Sequence, residues 1–134
     1  MLTIGELAKA TGVATSALRY WEELGVLPAP ERVAGRRRYP PSTVDLVGEV
    51  LLLRDTGYTL REVRQVMTRR GSWRELAERK LAELDERIAK AQAARTAIAH
   101  GLACTHPDVR ECPTFIRGRA KRLAGASLEE AHGH

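Results

Sequence analysis

The sequence predicts a mainly α-helical protein that carries one short, basic β-hairpin near its N-terminus. Two capping boxes, Thr3-Ile-Gly-Glu6 and Thr59-Leu-Arg-Glu62, mark helix starts, because each threonine accepts from a free amide and each glutamate reaches back. Apolar residues recur at helical spacing along most of the chain. Between the helices, segment 32–39 places four arginines in eight residues. Arginine is almost never buried unless it is paired, so this segment must face solvent or a polyanion.

The composition favours a polyanionic partner and gives no sign of a membrane. The 134 residues include 22 Lys and Arg against 17 Asp and Glu, which leaves a formal net charge of +5. No apolar stretch approaches the roughly 18 residues that a membrane span requires, and the N-terminus lacks an apolar signal segment. Two cysteines without a secretion signal indicate reduced thiols. We therefore expect a soluble, cytoplasmic protein.

Residues 3–25 predict a helix-turn-helix. A short helix follows the first capping box and ends before Gly12. A second helix is expected over residues 17–24, with Thr15 or Ser16 as its N-cap. In such a pair the N-terminal residues of the second helix enter the major groove of DNA. The predicted DNA-facing residues are Thr15, Ser16 and Arg19.

A basic hairpin and a second helical pair are expected next. Residues 26–39 contain two prolines and a glycine, which exclude a helix, and Ala34-Gly35 favours a tight turn between two strands. This hairpin is the wing of a winged helix-turn-helix head. Pro40-Pro41-Ser42-Thr43 then starts a third helix over residues 44–54, and the second capping box starts a fourth.

From residue 73 to about residue 103 the pattern changes to a sustained heptad. Its apolar residues recur in steps of three and four, which is typical of a coiled coil, and so long a helix with so narrow a seam needs a partner. We expect a homodimer; an amphipathic helix folded back on its own domain is the alternative. A polar residue on the seam often determines register or strand direction. The seam residues are Leu81, Leu84, Ile88, Ala91, Arg95, Ile98 and Leu102.

Four successive segments resemble the signatures of the mercury-resistance-regulator (MerR) family. The resemblance implies a winged helix-turn-helix head, a second helical pair and a long helix that forms an antiparallel dimer. It also implies a regulator that binds an over-long promoter spacer and, once its signal binds, kinks and untwists the DNA so that RNA polymerase holoenzyme engages both promoter elements. The segments are Thr3-Ile-Gly-Glu-Leu-Ala-Lys-Ala-Thr-Gly-Val13, Leu18-Arg-Tyr-Trp-Glu-Glu-Leu-Gly-Val-Leu27, Gly35-Arg-Arg-Arg-Tyr39 and Arg54-Asp-Thr-Gly-Tyr-Thr-Leu-Arg-Glu62.

The resemblance also assigns DNA contacts and divides the chain. Thr15 and Ser16 match the start of the recognition helix, and Arg19 matches an arginine that contacts bases or backbone. The family usually has an aromatic residue where Arg36 stands, so three successive arginines predict a stronger phosphate grip and a steeper salt dependence. The expected regions are a DNA-binding domain (1–71), a dimerisation helix (72–103) and an effector loop with a C-terminal tail (104–134). The further expected DNA contacts are Tyr20, Arg32, Arg36, Arg37, Arg38, Tyr39 and Arg54.

Three of these residues have alternative structural interpretations. Arg19 could pair with Glu22 or Glu23 on the helix surface instead of contacting DNA. Tyr39 at the base of the wing could simply pack. Because Tyr20 and Trp21 are neighbours on a helix, one should pack inward and the other reach outward, and we expect Trp21 in the core.

Cys104 and Cys112 flank a seven-residue loop directly after the dimerisation helix. In the metal-responsive branch of the family, two cysteines at this place bind the inducing ion, so the resemblance predicts a soft-metal sensor. A two-coordinate Cu(I)- or Ag(I)-type ion is the first expectation, because no further cysteine is available. Zn(II) is the second and would need His106 or His100. His100 lies one helical turn before Cys104, so both can face the same way.

Other functions remain as alternatives. Two cysteines are too few for a four-thiolate iron–sulfur cluster, so such a cofactor is not expected. A reversible disulfide would make the chain a thiol redox or electrophile-responsive regulator, and an inert structural pair is also consistent with the sequence. An architectural, excisionase-like DNA-bending protein without an effector is the alternative from another class. No phosphate-binding loop or catalytic arrangement is present, so we expect no enzyme activity.

Overall fold

The computed structural model describes residues 1–69 and 71–132. The described chain contains seven α-helices, one 3₁₀ turn and a two-stranded antiparallel sheet. It forms two compact units, one ending at Lys80 and the other beginning at Leu81. None of the helices described is long and apolar enough to span a membrane. The mainly helical architecture with a small wing and a long helix is the one that the sequence predicts.

The first two helices form the predicted helix-turn-helix. Helix α1 covers Ile4–Thr11, with the complete Thr3–Glu6 capping box at its start and Gly12 in the left-handed conformation (φ 74°) at its end. Helix α2 covers Thr15–Glu23. The expected cap at Thr15 or Ser16 is wrong, because Ala14 is the N-cap and no side chain caps this helix. The Thr11 hydroxyl accepts a hydrogen bond from the Val13 amide in the turn between the two helices. The helix begins directly after this turn, so Thr15 and Ser16 lie in its first turn rather than at its cap.

The wing consists of strands β1 (Glu31–Val33) and β2 (Arg36–Arg38). Ala34 and Gly35 both have positive φ, 54° and 76°, as a two-residue type I′ turn requires, and this confirms the predicted turn. Tyr39 continues from β2 and exchanges two backbone hydrogen bonds with Leu2, at 2.7 and 2.8 Å. The wing is therefore attached to the N-terminal segment before α1.

The remaining helices divide between the two units. Helix α3 covers Thr43–Asp55, and α4 covers Leu60–Thr68 behind a complete Thr59–Glu62 capping box. Helix α5 runs from Trp73 to Ala103 and carries residues of both units. The 3₁₀ turn Val109–Glu111 then leads into α6 (Pro113–Leu123) and α7 (Leu128–His132).

One hydrophobic core supports the first unit. Its members come from α1 to α4 and from the segments that flank the wing, and Trp21 is among them, as expected. Burial of each large apolar side chain contributes about 1.5–3 kcal/mol. The buried residues are Leu7, Leu18, Trp21, Val26, Leu27, Tyr39, Val47, Val50 and Val63.

An ion pair between buried Lys80 and half-buried Glu62 holds the first turns of α5 against α4. Lys80 Nζ lies 2.9 Å from Glu62 Oε1 and 5.6 Å from the centre of the Tyr58 ring. Burial alone would raise the pKa of Glu62, but the Thr59 amide and Lys80 together hold it below its usual value. Leu76, one turn earlier on α5, is also buried. The start of the long helix is therefore part of the first unit.

Candidate DNA-binding surface and metal centre

The N-terminal half of α2 presents polar side chains to solvent. Ser16 and Arg19 are exposed, and Thr15 is half-buried. Tyr20 is 51% exposed, whereas the neighbouring Trp21 is buried. The helical period thus separates the two aromatic residues, with the tyrosine outward. These exposed side chains form the candidate reading face of the helix.

The strand register distributes the wing arginines over two faces. Arg32 pairs with Arg37, while Arg36 pairs with Val33 and Arg38 with Glu31. Since residues directly opposite one another project to the same face, Arg32 and Arg37 share one face, and Arg36 and Arg38 share the other. Arg36 is exposed, whereas Arg37 and Arg38 are half-buried. The three successive arginines are therefore not equivalent.

Glu22 connects the recognition helix to the wing. Its Oε1 accepts a short hydrogen bond from the Tyr39 hydroxyl, and its Oε2 lies 3.9 Å from Nε of Arg37. The Glu22 side chain is only 9% exposed, so the surrounding protein screens this contact from water. The carboxylate pairs with an arginine of the wing rather than with Arg19 of its own helix. This contact holds β2 against α2.

The prediction that Tyr39 contacts DNA is wrong. The residue is only 1% exposed, and its hydroxyl is used by Glu22, so it is not available to a phosphate. Burial and the Glu22 carboxylate raise the pKa of Tyr39 to about 12, so the phenol remains a hydrogen-bond donor to Glu22 well into the alkaline range. The packing interpretation of this residue is the one that the structure supports.

A second basic surface lies on α3 and α4, and the sequence analysis identified only one of its residues. Arg54 is exposed and donates to the carbonyl of Tyr58 at 2.9 Å. Arg61 and Arg64 line two neighbouring concavities, one of which also includes Tyr20. They lie three residues apart, on either side of buried Val63, so helical periodicity could have identified them as a solvent-facing pair. The basic surface therefore continues from α2 onto α4.

His100, Cys104 and Cys112 form a compact group in the second unit. One ligand atom from each lies within 4.8 Å of the others. The last turn of α5 places His100 beside Cys104, and the 3₁₀ turn returns the chain so that Cys112 Sγ lies 3.6 Å from His100 Nε2. His106 contacts the other cysteine, with its Nδ1 3.1 Å from Cys104 Sγ. One imidazole and two thiols are a donor set that suits a soft or borderline metal ion.

The environment of Cys112 favours its thiolate. His100 is the largest influence, and the backbone amides of Phe115 and Thr114, at the N-terminus of α6, add to it. Together they lower the pKa of Cys112 to about 6, although the side chain is only 3% exposed. The group therefore carries an ionised sulfur at neutral pH, which is the form that binds metals and reacts as a nucleophile.

The predicted dimer seam lies on an exposed face of α5. Leu81, Ile88, Ile98 and Leu102 are more than half exposed, and Leu102 reaches 85%. Ala91 and Arg95 are also exposed, and Leu84 is half-buried. Large aliphatic residues at regular spacing on one helix face are typical of a surface that packs against another helix.

Comparison with known proteins matches most of the chain to one family. The profile described as "MerR HTH family regulatory protein" matches residues 2–70, and the profile "MerR, DNA binding" matches residues 47–101. A solved structure titled "Crystal structure of HiNmlR, a MerR family regulator lacking the sensor domain, bound to promoter DNA" is similar in fold. The TM-score is 0.52 at 18% sequence identity, and the match covers 95% of this chain and 96% of that one.

Two curated relatives illustrate the range of similar proteins. "Nodulation protein NolA" of Bradyrhizobium sp. (strain NC92) is 35% identical over 108 residues, which cover 80% of this chain and 45% of that protein. This chain thus spans less than half the length of that relative. "Heavy metal-dependent transcription regulator 2" of Rhizobium meliloti (strain 1021) is 27% identical over 140 aligned positions, covering 96% of this chain and 92% of that protein.

Removal of the Tyr39 hydroxyl should destabilise the protein. Tyr39→Phe leaves the buried Glu22 carboxylate without one of its donors. We therefore expect the free energy of unfolding, measured in urea at pH 7, to fall by about 1–2 kcal/mol. Because the folded-state pKa of Tyr39, about 12, lies above the value of 10 for an unfolded chain, this stabilisation is complete below pH 10 and disappears between pH 10 and 12. Tyr20→Phe, at an exposed site, is the control. Equal losses in both variants would contradict the contact.

Proposed function

The chain belongs to the MerR family of DNA-binding transcriptional regulators, and we propose that it senses a soft metal ion through His100, Cys104 and Cys112. The observation that supports this proposal is that one ligand atom of each residue lies within 4.8 Å of the other two, at the end of the long helix. The name of the Rhizobium meliloti relative describes a heavy-metal-dependent regulator, which agrees with this proposal. Members of the family act as transcription factors rather than as enzymes.

DNA binding depends on the reading face of α2 and the exposed arginines around it. Ser16 and Arg19 face the major groove, with Thr15 at the helix start and Tyr20 towards the backbone. Phosphate contacts fix the position of the head and account for most of the salt dependence of binding. The proposed phosphate contacts are Arg32, Arg36, Arg37, Arg38, Arg54, Arg61 and Arg64.

The exposed face of α5 is the proposed homodimer interface. Covering this row of aliphatic residues contributes roughly 25 cal/mol for each Å² of apolar surface removed from water. A twofold dimer also brings two recognition helices to the half-sites of a palindromic promoter element. We propose that this dimer activates transcription by distorting the promoter spacer for RNA polymerase holoenzyme in the cytoplasm.

The two thiolates would hold a Cu(I)- or Ag(I)-type ion, with His100 as the nearest third donor. His106 contacts Cys104 but lies outside the group of three, so the structure favours His100 over His106 as the additional ligand. Zn(II) is the second candidate and would use the imidazole to complete a nitrogen–sulfur set. A bound ion would link the end of α5 to the start of α6 and thereby order the loop between the cysteines.

A thiol switch is the second candidate function. The two sulfur atoms lie within 4.8 Å, and the lowered pKa of Cys112 makes it a reactive thiolate at neutral pH. Formation of a disulfide would require only a modest approach of the sulfur atoms. The two candidate functions can be distinguished by their inducer. A metal ion would bind the reduced thiols and act under reducing conditions, whereas an oxidant would act by forming the disulfide.

Loss of Arg36 should flatten the salt dependence of DNA binding. Arg36→Ala removes one exposed phosphate contact, so the slope of log affinity against log salt should fall by about 0.9. The duplex would be one that the protein selects from a random pool, and affinity would be measured by fluorescence anisotropy. Arg36→Lys retains the charge and should retain the slope. An unchanged slope in the alanine variant would remove Arg36 from the interface.

A charge on the seam should abolish the dimer. Ile88→Asp introduces a carboxylate into a surface that would be buried, so sedimentation at micromolar concentration should show monomers with much weaker DNA binding. Gln92→Asp adds the same group at an exposed position outside the seam and should leave the dimer intact. A dimer that survives Ile88→Asp contradicts the proposed interface.

Metal binding should be stoichiometric and separable from DNA binding. The reduced protein should bind about one Cu(I) or Ag(I) per subunit, and Cys112→Ser should abolish induction of a promoter reporter with little change in operator affinity. His100→Ala should weaken Zn(II) binding far more than Cu(I) binding, with His106→Ala as the matched control. Fewer protons should be released per ion at pH 8 than at pH 5, because Cys112 ionises near pH 6.

The double Cys104→Ser, Cys112→Ser variant decides between the candidate signals. A full metal response in this variant would mean that the thiols are structural and that the metal proposal is wrong. If the unaltered protein responds to a hydroperoxide but not to metals under reducing conditions, the thiol switch replaces the metal sensor.

A further inference from the structure

The side chains around the candidate metal centre differ in their access to solvent. Cys112 is buried, with only 3% of its surface exposed, whereas Cys104 and His100 are half-buried. His106, which contacts Cys104, is exposed. A metal site needs an access route as well as its ligands. An ion that arrives from solution therefore meets His106 before it reaches the buried thiol of Cys112.

His106 and Cys104 are placed as a two-atom chelate. Nδ1 of the imidazole lies 3.1 Å from Sγ of the thiol. Zinc–sulfur bonds of about 2.3 Å and zinc–nitrogen bonds of about 2.0–2.1 Å place two such atoms about 3.5 Å apart around a tetrahedral ion. The two ligand atoms are thus already close to the separation that a shared ion requires. Cys104 has this donor on its solvent side in addition to the donors within the group of three.

This outer pair does not depend on the folding of the loop between the cysteines. Thr105 alone separates Cys104 from His106 in the chain, so the two side chains remain neighbours in any loop conformation. Cys112 lies eight positions after Cys104 and returns to it through the 3₁₀ turn Val109–Glu111. The outer pair is therefore available to an ion even when the group of three is not yet assembled.

Cys104 is the ligand that the outer pair and the group of three share. His106 lies outside the group whose ligand atoms are all within 4.8 Å of one another, whereas Cys104 belongs to it. An ion held by the Cys104 sulfur can therefore exchange the imidazole of His106 for that of His100 without leaving the sulfur. Two adjacent donors also retain an arriving ion longer than a single thiol would, because the second donor binds it intramolecularly.

We propose that His106 and Cys104 form a capture site through which the ion reaches the group of His100, Cys104 and Cys112. His106 contacts the ion during binding and release and does not hold it at equilibrium. The Cys104 thiol loses its proton to solvent when its sulfur binds the ion, and no oxidant or reductant takes part. This inference rests on the proposed metal-sensing function and adds the route by which the site is filled.

A purely structural role for His106 predicts a different result. A side chain that only orients a metal ligand through a hydrogen bond contributes to the affinity of the bound state, typically by about 10–100-fold. A capture ligand changes the rates of binding and release by the same factor, because it stabilises the same intermediate in both directions. The affinity is the ratio of these two rates and stays unchanged. Measurement of both rates therefore separates the two roles.

Exchange of Cu(I) with its coloured bicinchoninate complex measures these rates in the reduced, full-length protein. Stopped-flow absorbance follows uptake by the protein, excess bicinchoninate follows release, and the end point gives the affinity. Protein concentrations are those at which the uptake rate rises in proportion to protein, so that dissociation of the donor complex is not limiting. His106→Ala should slow uptake and release alike, by at least about tenfold, and change the affinity by less than about twofold.

Three further variants serve as controls. Thr105→Ala alters an exposed neighbour that carries neither a thiol nor an imidazole and should leave both rates unchanged. His106→Met replaces the imidazole by a soft thioether donor and should restore rapid Cu(I) exchange. Cys112→Ser removes a ligand of the final group, so it should accelerate release and weaken the affinity.

The possible failures of the two proposals are distinguishable. Unchanged rates in His106→Ala, or unequal changes that lower the affinity, would overturn the capture site and leave the metal proposal intact. Equal slowing by Thr105→Ala would assign the effect to the loop rather than to the imidazole and would also overturn it. If the unaltered protein takes up no Cu(I), the metal-sensing proposal is wrong, and the capture site falls with it.

Discussion

The geometry of the DNA-binding head depends on one largely buried carboxylate. Glu22 projects from the recognition helix and meets the Tyr39 hydroxyl and the Arg37 guanidinium at the base of the wing. The backbone of Tyr39 pairs in turn with Leu2, so the helix, the wing and the N-terminal segment converge at one place. A carboxylate with so little access to water destabilises the protein unless it is paired, so Glu22 favours the one arrangement in which both of its partners are in place. This contact therefore fixes the exposed arginines of the wing relative to the recognition helix.

Features determined by neighbouring residues could be predicted from the sequence. Both capping boxes form as expected, because their partners are three residues apart, and the hairpin turns at Ala34-Gly35, because that turn needs two residues with positive φ. The helix start at Ala14 was missed, since it depends on how the preceding turn is completed by Thr11. The sequence also left open whether Tyr39 contacts DNA or packs in the core. Its burial requires a partner 17 positions earlier in the chain, which no local pattern reveals.

The candidate metal centre shows the same division between local and distant information. His100 and Cys104 are four residues apart on one helix, so their proximity follows from helical geometry. The return of Cys112 depends on the 3₁₀ turn and on Pro113, which begins α6 directly after the cysteine. His100 and the backbone amides at the start of that helix lower the pKa of Cys112, an effect that the cysteine spacing alone could not indicate. The sequence could not choose between the two histidines. In the structure His100 belongs to the group of ligand atoms that lie within 4.8 Å of one another, whereas His106 contacts Cys104 alone.

The distribution of these features along the chain bears on how a signal would reach DNA. The residues proposed to contact DNA belong to the first unit, while the proposed seam and the cysteine group belong to the second. Helix α5 is continuous from Trp73 to Ala103, and the Lys80–Glu62 pair and buried Leu76 hold its first turns in the head. Under the proposed function, a metal ion bound at Cys104, directly after the last residue of this helix, would act on an element whose first turns are held in the head. For the signal to reach DNA, α5 must have two arrangements, and the ion must bind one of them more tightly than the other. A ligand with equal affinity for both would not change their populations. Under the proposed function, the cysteine loop supplies that difference by being ordered only when the ion is bound.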